Sequence, residues 1–192
     1  MAMVITLDLS PTLELTDAQF EAICRQNREL RLEKTATGEL VIMPPTGGET
    51  GKRNTSITGQ LWFWNRKHKL GHVFDSSTGF RLPNGATRSP DVSWVREERW
   101  QQLTPDERQG FLPLCPDFAI ELKSSSDSLK DLQKKMEEYL ANGLVLGWLL
   151  DPKRKQVEVY QPGKPSETID QPKRLTADPV LPGFVMDFED IF

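Results

Sequence analysis

The sequence predicts a mixed α and β fold, a central sheet flanked by helices, and three runs of residues carry that prediction. Residues 144–150, Leu-Val-Leu-Gly-Trp-Leu-Leu, are almost wholly apolar, as befits a strand covered on both faces. Residues 128–142 place Leu129, Leu132, Met136, Tyr139 and Leu140 at helical spacing, and Gly143 follows as a C-terminal cap. Residues 117–123 alternate Phe118, Ile120 and Leu122 with Ala119, Glu121 and Lys123, the period of two that a strand requires. On that alternation Glu121 and Lys123 share a face.

The remaining elements follow in chain order. Thr16 opens a helix over 16–26, with Phe20, Ile23 and Cys24 on one side, which reads as a packing or oligomer-contact arm. Residues 30–33 and 39–43 are strand-like and joined by Thr35-Ala36-Thr37-Gly38, a hairpin. After the break at Pro44-Pro45-Thr46-Gly47-Gly48, residues 49–69 form a long helix with Ile57, Leu61 and Trp64 on one face, stopped by Gly71. Residues 72–74, 79–82 and 91–95 are expected as strands in the middle of the sheet, with a turn at Pro83-Asn84-Gly85. Residues 97–110 are polar and suit peripheral short helices or a loop. Residues 156–161 alternate Val157 and Val159 with polar neighbours, and one more strand is expected near 167–170.

A chain of 192 residues suits one domain spanning 1–192, with its core at about 30–160. A content of 37% hydrophobic and 27% charged residues, with five Trp and nine Phe, is that of a globular protein with a substantial core. The net charge of -4, from 24 Lys and Arg against 28 Asp and Glu, excludes a molecule that is basic overall. Any nucleic-acid surface must then be local, because such binding rests on cations neutralising phosphates. Lys52-Arg53, Arg66-Lys67-His68-Lys69 and Lys130 with Lys134-Lys135 are the candidates, although charge runs of this kind are also ordinary solvated helix faces. Two separated cysteines, Cys24 and Cys115, without a CxxC, indicate a reducing compartment. No apolar run approaches membrane-span length and the first residues do not resemble a signal peptide, so a cytoplasmic protein without membrane association is expected.

The densest chemistry lies in Ser89-Pro90-Asp91 and Glu121-Leu122-Lys123, which together spell PD…ExK. Mg²⁺ takes oxygen ligands and keeps several waters, so the carboxylates of Asp91 and Glu121 plus substrate phosphate oxygens suffice to hold it. Such an ion polarises the phosphoryl oxygen and lowers the pKa of a bound water, while Lys123 can orient that water or stabilise developing charge. The bland alternatives are a solvated strand face and a structural Glu-Lys ion pair. Burial of the surrounding strand favours pairing or ligand binding, since an unpaired buried charge costs several kcal/mol.

The run Glu121-Leu122-Lys123-Ser124, Lys135-Met136-Glu137-Glu138-Tyr139, Asn142-Gly143 and Leu149-Leu150-Asp151-Pro152 resembles the Uma2 family (DUF820) of endonucleases in the PD-(D/E)xK restriction-endonuclease-like superfamily. Pro44-Pro45-Thr46-Gly47-Gly48-Glu49 and Ser89-Pro90-Asp91 fall where that family carries its upstream motifs, so the likeness extends over about 30–159. The resemblance implies a restriction-endonuclease-like fold whose central mixed β-sheet is flanked by α-helices and preceded by a helix and hairpin. It implies Asp91 and Glu121 as ligands of Mg²⁺, with Mn²⁺ as the alternative ion, Lys123 as the catalytic amine and Glu49 completing the acidic set. Many relatives carry an apolar residue where this chain has Lys123. A nucleic acid, DNA in the first place, and a homodimer are the expected partners.

Glu49 has a reading of its own, since an acid near a helix start interacts favourably with the helix dipole. Lys135 is placed to contact a phosphate, with Tyr139 packing the same helix, and Lys52 and Arg53 are the other substrate-binding candidates. Gly47-Gly48-Glu49-Thr50-Gly51-Lys52-Arg53 imitates a P-loop but has Thr46 at the first Gly position and Arg53 where the Mg²⁺-binding hydroxyl belongs. His68 and His72 lack a third ligand, and the serines at 124–126 lack a histidine base. Two functions of different class are therefore expected to compete: a Mg²⁺-dependent endodeoxyribonuclease and a non-catalytic nuclease-fold scaffold that oligomerises or binds DNA.

Overall fold

The computed structural model, which describes residues 4–192, divides most of its strands between two sheets. In chain order the elements are β1 (Ile5–Leu7), α1 (Asp17–Gln26), β2 (Arg31–Lys34), β3 (Leu40–Met43), α2 (Gly48–His68), β4 (Gly71–Asp75), β5 (Phe80–Arg81), β6 (Thr87–Arg88) and β7 (Val92–Arg96). There follow α3 (Glu97–Gln101), α4 (Pro105–Gln109), β8 (Phe118–Leu122), α5 (Leu129–Ala141), β9 (Leu146–Asp151), β10 (Gln156–Tyr160), β11 (Glu167–Asp170), β12 (Arg174–Thr176) and β13 (Val185–Asp187).

The larger sheet has the order β11-β10-β9-β8-β7-β4 and is antiparallel except for β8 and β9. That parallel pair needs a crossover, which α5 supplies. Side chains alternate as expected: Phe118, Ile120 and Leu122 join Trp148, Leu150 and the α2 residues Ile57, Leu61 and Trp64 on one face. Ala119 and Leu149 face the other way, toward Met136 and Tyr139 of α5. Gly147 lets α5 approach closely, since a Cβ there would stand 2.3 Å from Met136 Cε. The C-terminal segment, through Leu181, Phe184, Phe188 and Ile191, closes the α2 face.

The smaller sheet, β1-β3-β2-β6-β5, was not expected as a separate unit. The run at 79–82, read as a strand of the central sheet, contributes β5 to this second sheet instead. Its partner β6 is only two residues long and carries too little alternation to be recognised locally. The first helix packs within its own chain: Phe20 is fully buried with Leu15, Leu32 and Leu40, and Asp17 pairs with Lys34 of β2. Helix α2 ends earlier than Gly71, with Lys69 in the left-handed conformation (φ 54°) as its C-cap. Gly71 instead starts β4.

Both cysteines are free thiols, and burial pushes Cys115 up to about 12. Among the described residues no helix is long and apolar enough to cross a membrane.

Candidate active site

Three chain segments converge beneath the middle and C-terminal half of α5. Asp91 immediately precedes β7, whose register pairs Val92 with Ile120, so one further step sets Asp91 opposite Glu121. Glu121 points to the α5 face, and Asp91, at the open end of β7, also lines a cavity against α2. Asp91 Oδ2 accepts the Leu122 N–H at 2.9 Å, which ties the two strands together at this point.

Glu121 is buried, with 3% of its surface exposed. Its Oε1 accepts the Tyr139 hydroxyl at 2.9 Å and lies 2.9 Å from Lys135 Nζ. The same ammonium donates to Glu33 Oε1 at 2.9 Å. Glu33, on β2, also accepts from the Ser89 N–H at 2.9 Å and from Arg88 Nη1 at 3.2 Å. Arg88 in turn donates through Nε to Glu138 at 2.6 Å. The result is a buried chain of alternating charge, Glu138, Arg88, Glu33, Lys135 and Glu121, drawn from both sheets and from α5.

The protonation behaviour of the acids follows from this placement. Burial foremost, with the nearby charges of Asp91 and Glu33, raises Glu121 to about 7 against the pull of Lys135. Burial likewise raises Asp91, opposed by the Leu122 N–H and by Lys135. Burial alone would also raise Glu33, but Lys135, Arg88 and the Ser89 N–H outweigh it and the net shift is downward. Lys135 moves up, since Glu121 and Glu33 outweigh its desolvation. Glu33 and Lys135 are thus a settled ion pair, whereas Asp91 and Glu121 carry negative charge that the protein leaves incompletely compensated.

That imbalance suits a hard divalent cation. The outer oxygens, Asp91 Oδ1 and Glu121 Oε2, accept no hydrogen bond from the described residues, and oxygen donors of this kind are what Mg²⁺ takes. Among the described residues no group of three or more His, Cys, Asp or Glu closes around one point. Two carboxylates with the remaining positions left to water and phosphate match the open coordination of Mg²⁺.

The other expected site residues lie apart. β8 ends at Leu122; the Lys123 N–H still donates to Leu150 O at 2.8 Å, but Lys123 Nζ donates to Ser124 O at 3.2 Å. No hydrogen bond or ion pair joins Lys123 to Asp91 or Glu121. Lys123 instead lines a groove of about 380 Å³ with Glu49, Arg53, Asp151 and Lys153. Glu49 is 76% exposed and pairs with Arg53 at 3.6 Å, one turn along the start of α2. Arg53 also donates to Ile191 O at 2.9 Å, tying α2 to the C-terminal segment. Lys52 is exposed. Lys135, expected to meet a phosphate, is turned inward with 13% of its side chain exposed.

Glu33 and Arg88 escaped the sequence reading. A charged residue in a short hairpin strand reads as solvent-facing, and only the Leu-Glu-Lys alternation of β2 hinted that Glu33 shares no face with Leu32. His72 pairs with Glu97 at 2.9 Å and His68 stacks on Trp64, so neither histidine enters the site.

Residues 17–189 match the model of a family described as "Uma2: Putative restriction endonuclease". The chain belongs to the Uma2 family. Among solved structures, a crystal structure described as a "putative nuclease belonging to DUF820" from Anabaena variabilis superposes with a TM-score of 0.72 at 19% identity, covering 84% of this chain and 89% of that one. No curated protein matches. The likeness bears out the restriction-endonuclease-like fold, and Uma2 membership assigns the chain to a nuclease family whose substrate is nucleic acid.

Proposed function

We propose that this Uma2 protein is a divalent-metal-dependent endonuclease that hydrolyses phosphodiester bonds in DNA, with Asp91 and Glu121 as the ligands of Mg²⁺. The observation that carries the reading is the pair itself: two neighbouring carboxylates, both raised by burial, with outer oxygens that accept no hydrogen bond. When bound, the ion polarises the phosphoryl oxygen and activates a water. Asp91 and Glu121 hold it beside β7 and β8. Lys135, 2.9 Å from Glu121, orients that carboxylate and would supply positive charge beside a phosphate bound there. Lys123, in the neighbouring groove with Arg53 and Lys153, suits the flanking phosphates, and Lys52 stands at the same end of α2. Glu49 belongs to that groove. Cutting both strands of a duplex calls for two such sites, which a homodimer would provide.

The test is direct. Purified protein with Mg²⁺ or Mn²⁺ should cleave single-stranded, duplex or branched DNA, and Asp91→Ala should abolish cleavage. Intact DNA under all conditions, or an Asp91→Ala variant as active as the parent, would overturn the reading.

One observation favours a non-catalytic scaffold: Glu121 Oε1 is already engaged by Lys135 and Tyr139, as a purely structural acid would be. Calorimetry separates the two, since a scaffold would bind no Mg²⁺ at Asp91 and Glu121.

A further inference from the structure

The cavity beside Asp91 has a chemistry that metal binding does not use. It is an open depression of about 420 Å³ between one face of α2 and the end of β4. Asn54, Thr58 and Trp62 recur every fourth residue along α2 and so share that face, while Asp75 and Ser76 lie opposite. No Lys or Arg lines it. A phosphate pocket would need such cations, and here they stand in the separate groove around Lys123.

Two features of the lining are unspent. The indole of Trp62 is 49% exposed, whereas Trp64, Trp94 and Trp148 are at 6%, 2% and 1%. Arg66 lies over that ring at 5.2 Å, which restrains the indole and sets a positive charge beside the cavity. Asn54 Oδ1 is buried without a hydrogen-bond partner, although buried amide oxygens are nearly always satisfied. A flat apolar surface, an unfilled acceptor and a hydroxyl, all adjoining a carboxylate of the catalytic pair, match the needs of a nucleobase: a face to stack on and an acceptor for its amino group.

We propose that this cavity receives one unpaired nucleobase adjoining the scissile phosphate, stacked on Trp62 and hydrogen-bonded by Asn54 and Thr58, so that the protein selects single-stranded or locally unpaired DNA over matched duplex. The proposal rests on the endonuclease reading and extends it to substrate choice. A base inside a duplex has both faces covered by its neighbours and must leave the stack to reach an aromatic side chain.

Gly59 provides an independent probe. A Cβ at this position meets no atom within 4 Å, and Leu is a better helix former than Gly, so Gly59→Leu should fold at least as well as the parent while filling the cavity. The experiment measures fluorescence anisotropy of a labelled 12-nucleotide single strand, its matched duplex and a duplex with one bulged base, with Ca²⁺ as the oxygen-binding ion. Thermal melts accompany each variant. The expected result is that single strand and bulged duplex bind about tenfold more tightly than matched duplex and quench Trp62 emission. Trp62→Ala should lose about tenfold, on the order of one base-aromatic stack, Trp62→Phe should recover part of it, and Gly59→Leu should lose binding with an unchanged or raised melting temperature. Equal binding of all three DNAs, or variants that bind as the parent does, would overturn the proposal. Cleavage in Mg²⁺ that is indifferent to Trp62→Ala and Gly59→Leu would overturn it while leaving the endonuclease standing. A parent that cleaves nothing counts against the endonuclease, and the binding series still decides the base site.

Discussion

Glu33 of β2 and Lys135 of α5, 102 residues apart in sequence, meet at 2.9 Å in the interior. This contact joins the smaller sheet to the crossover helix of the larger one, and it leaves Lys135 poised between a fixed partner, Glu33, and the candidate ligand Glu121. The smaller sheet is in this way part of the site's electrostatics.

Removing that partner should be costly. Glu33→Ala takes from Lys135 and Arg88 one of the two carboxylates each contacts, leaving Glu121 and Glu138 as their remaining partners, and loss of such charge-assisted hydrogen bonds typically costs about 1.5–3 kcal/mol. Urea melts of parent and variant check this, and a cost below about 1 kcal/mol would mean that water or another acid replaces Glu33.

The two lysines should separate in activity. Lys135→Met is expected to lower cleavage by about 10²–10³, the loss seen when a charge-stabilising donor is removed from an active site. Lys123→Ala, whose ammonium reaches Ser124 O rather than the acids, should lose less than about tenfold. Initial rates on one DNA substrate, with melts to confirm folding, decide between them. The reverse ranking would restore Lys123 as the catalytic amine.

Glu121 should give the metal-free protein a distinctive pH dependence. Burial holds its folded pKa at about 7, above the ordinary 4.5 of a glutamate, so the stability it contributes is fully present below about pH 4.5 and is lost as pH rises through 7. Glu33 has the opposite sign, contributing above the ordinary carboxylate range and losing its contribution toward acid. Metal-free melting temperatures should therefore fall between pH 5 and pH 8, and Mg²⁺ should restore them most at pH 8, where Glu121 is ionised. Calorimetric Mg²⁺ affinity should rise over the same interval. A flat pH profile for both quantities would remove Glu121 from the ligand set.

The β4-β7 contact offers a test of the fold alone. Adding a Cβ at Gly71 would bring it 2.2 Å from the Val95 carbonyl oxygen and 2.7 Å from the Trp94 ring. The backbone cannot yield as a flexible side chain would, so Gly71→Ala should destabilise by about 1–3 kcal/mol or more. Thermal denaturation measures it.

The three long helices, the strands of the larger sheet, the faces of α2 and α5 and the alternation of β8 were legible in the sequence by itself. Helical and strand periodicities are local properties of the chain, and the placement of an acid just before β7 and another within β8 predicts their meeting once those strands pair. Tertiary structure alone decided that β5 leaves the central sheet, that Phe20 buries α1 within its own chain, and that Lys135 rather than Lys123 stands against Glu121. Each depends on an encounter between elements distant in sequence. Lys123 shares the strand alternation of Glu121, but β8 ends one residue too early to hold it there, while Glu33 is held in the interior by Lys135 of α5, 2.9 Å away.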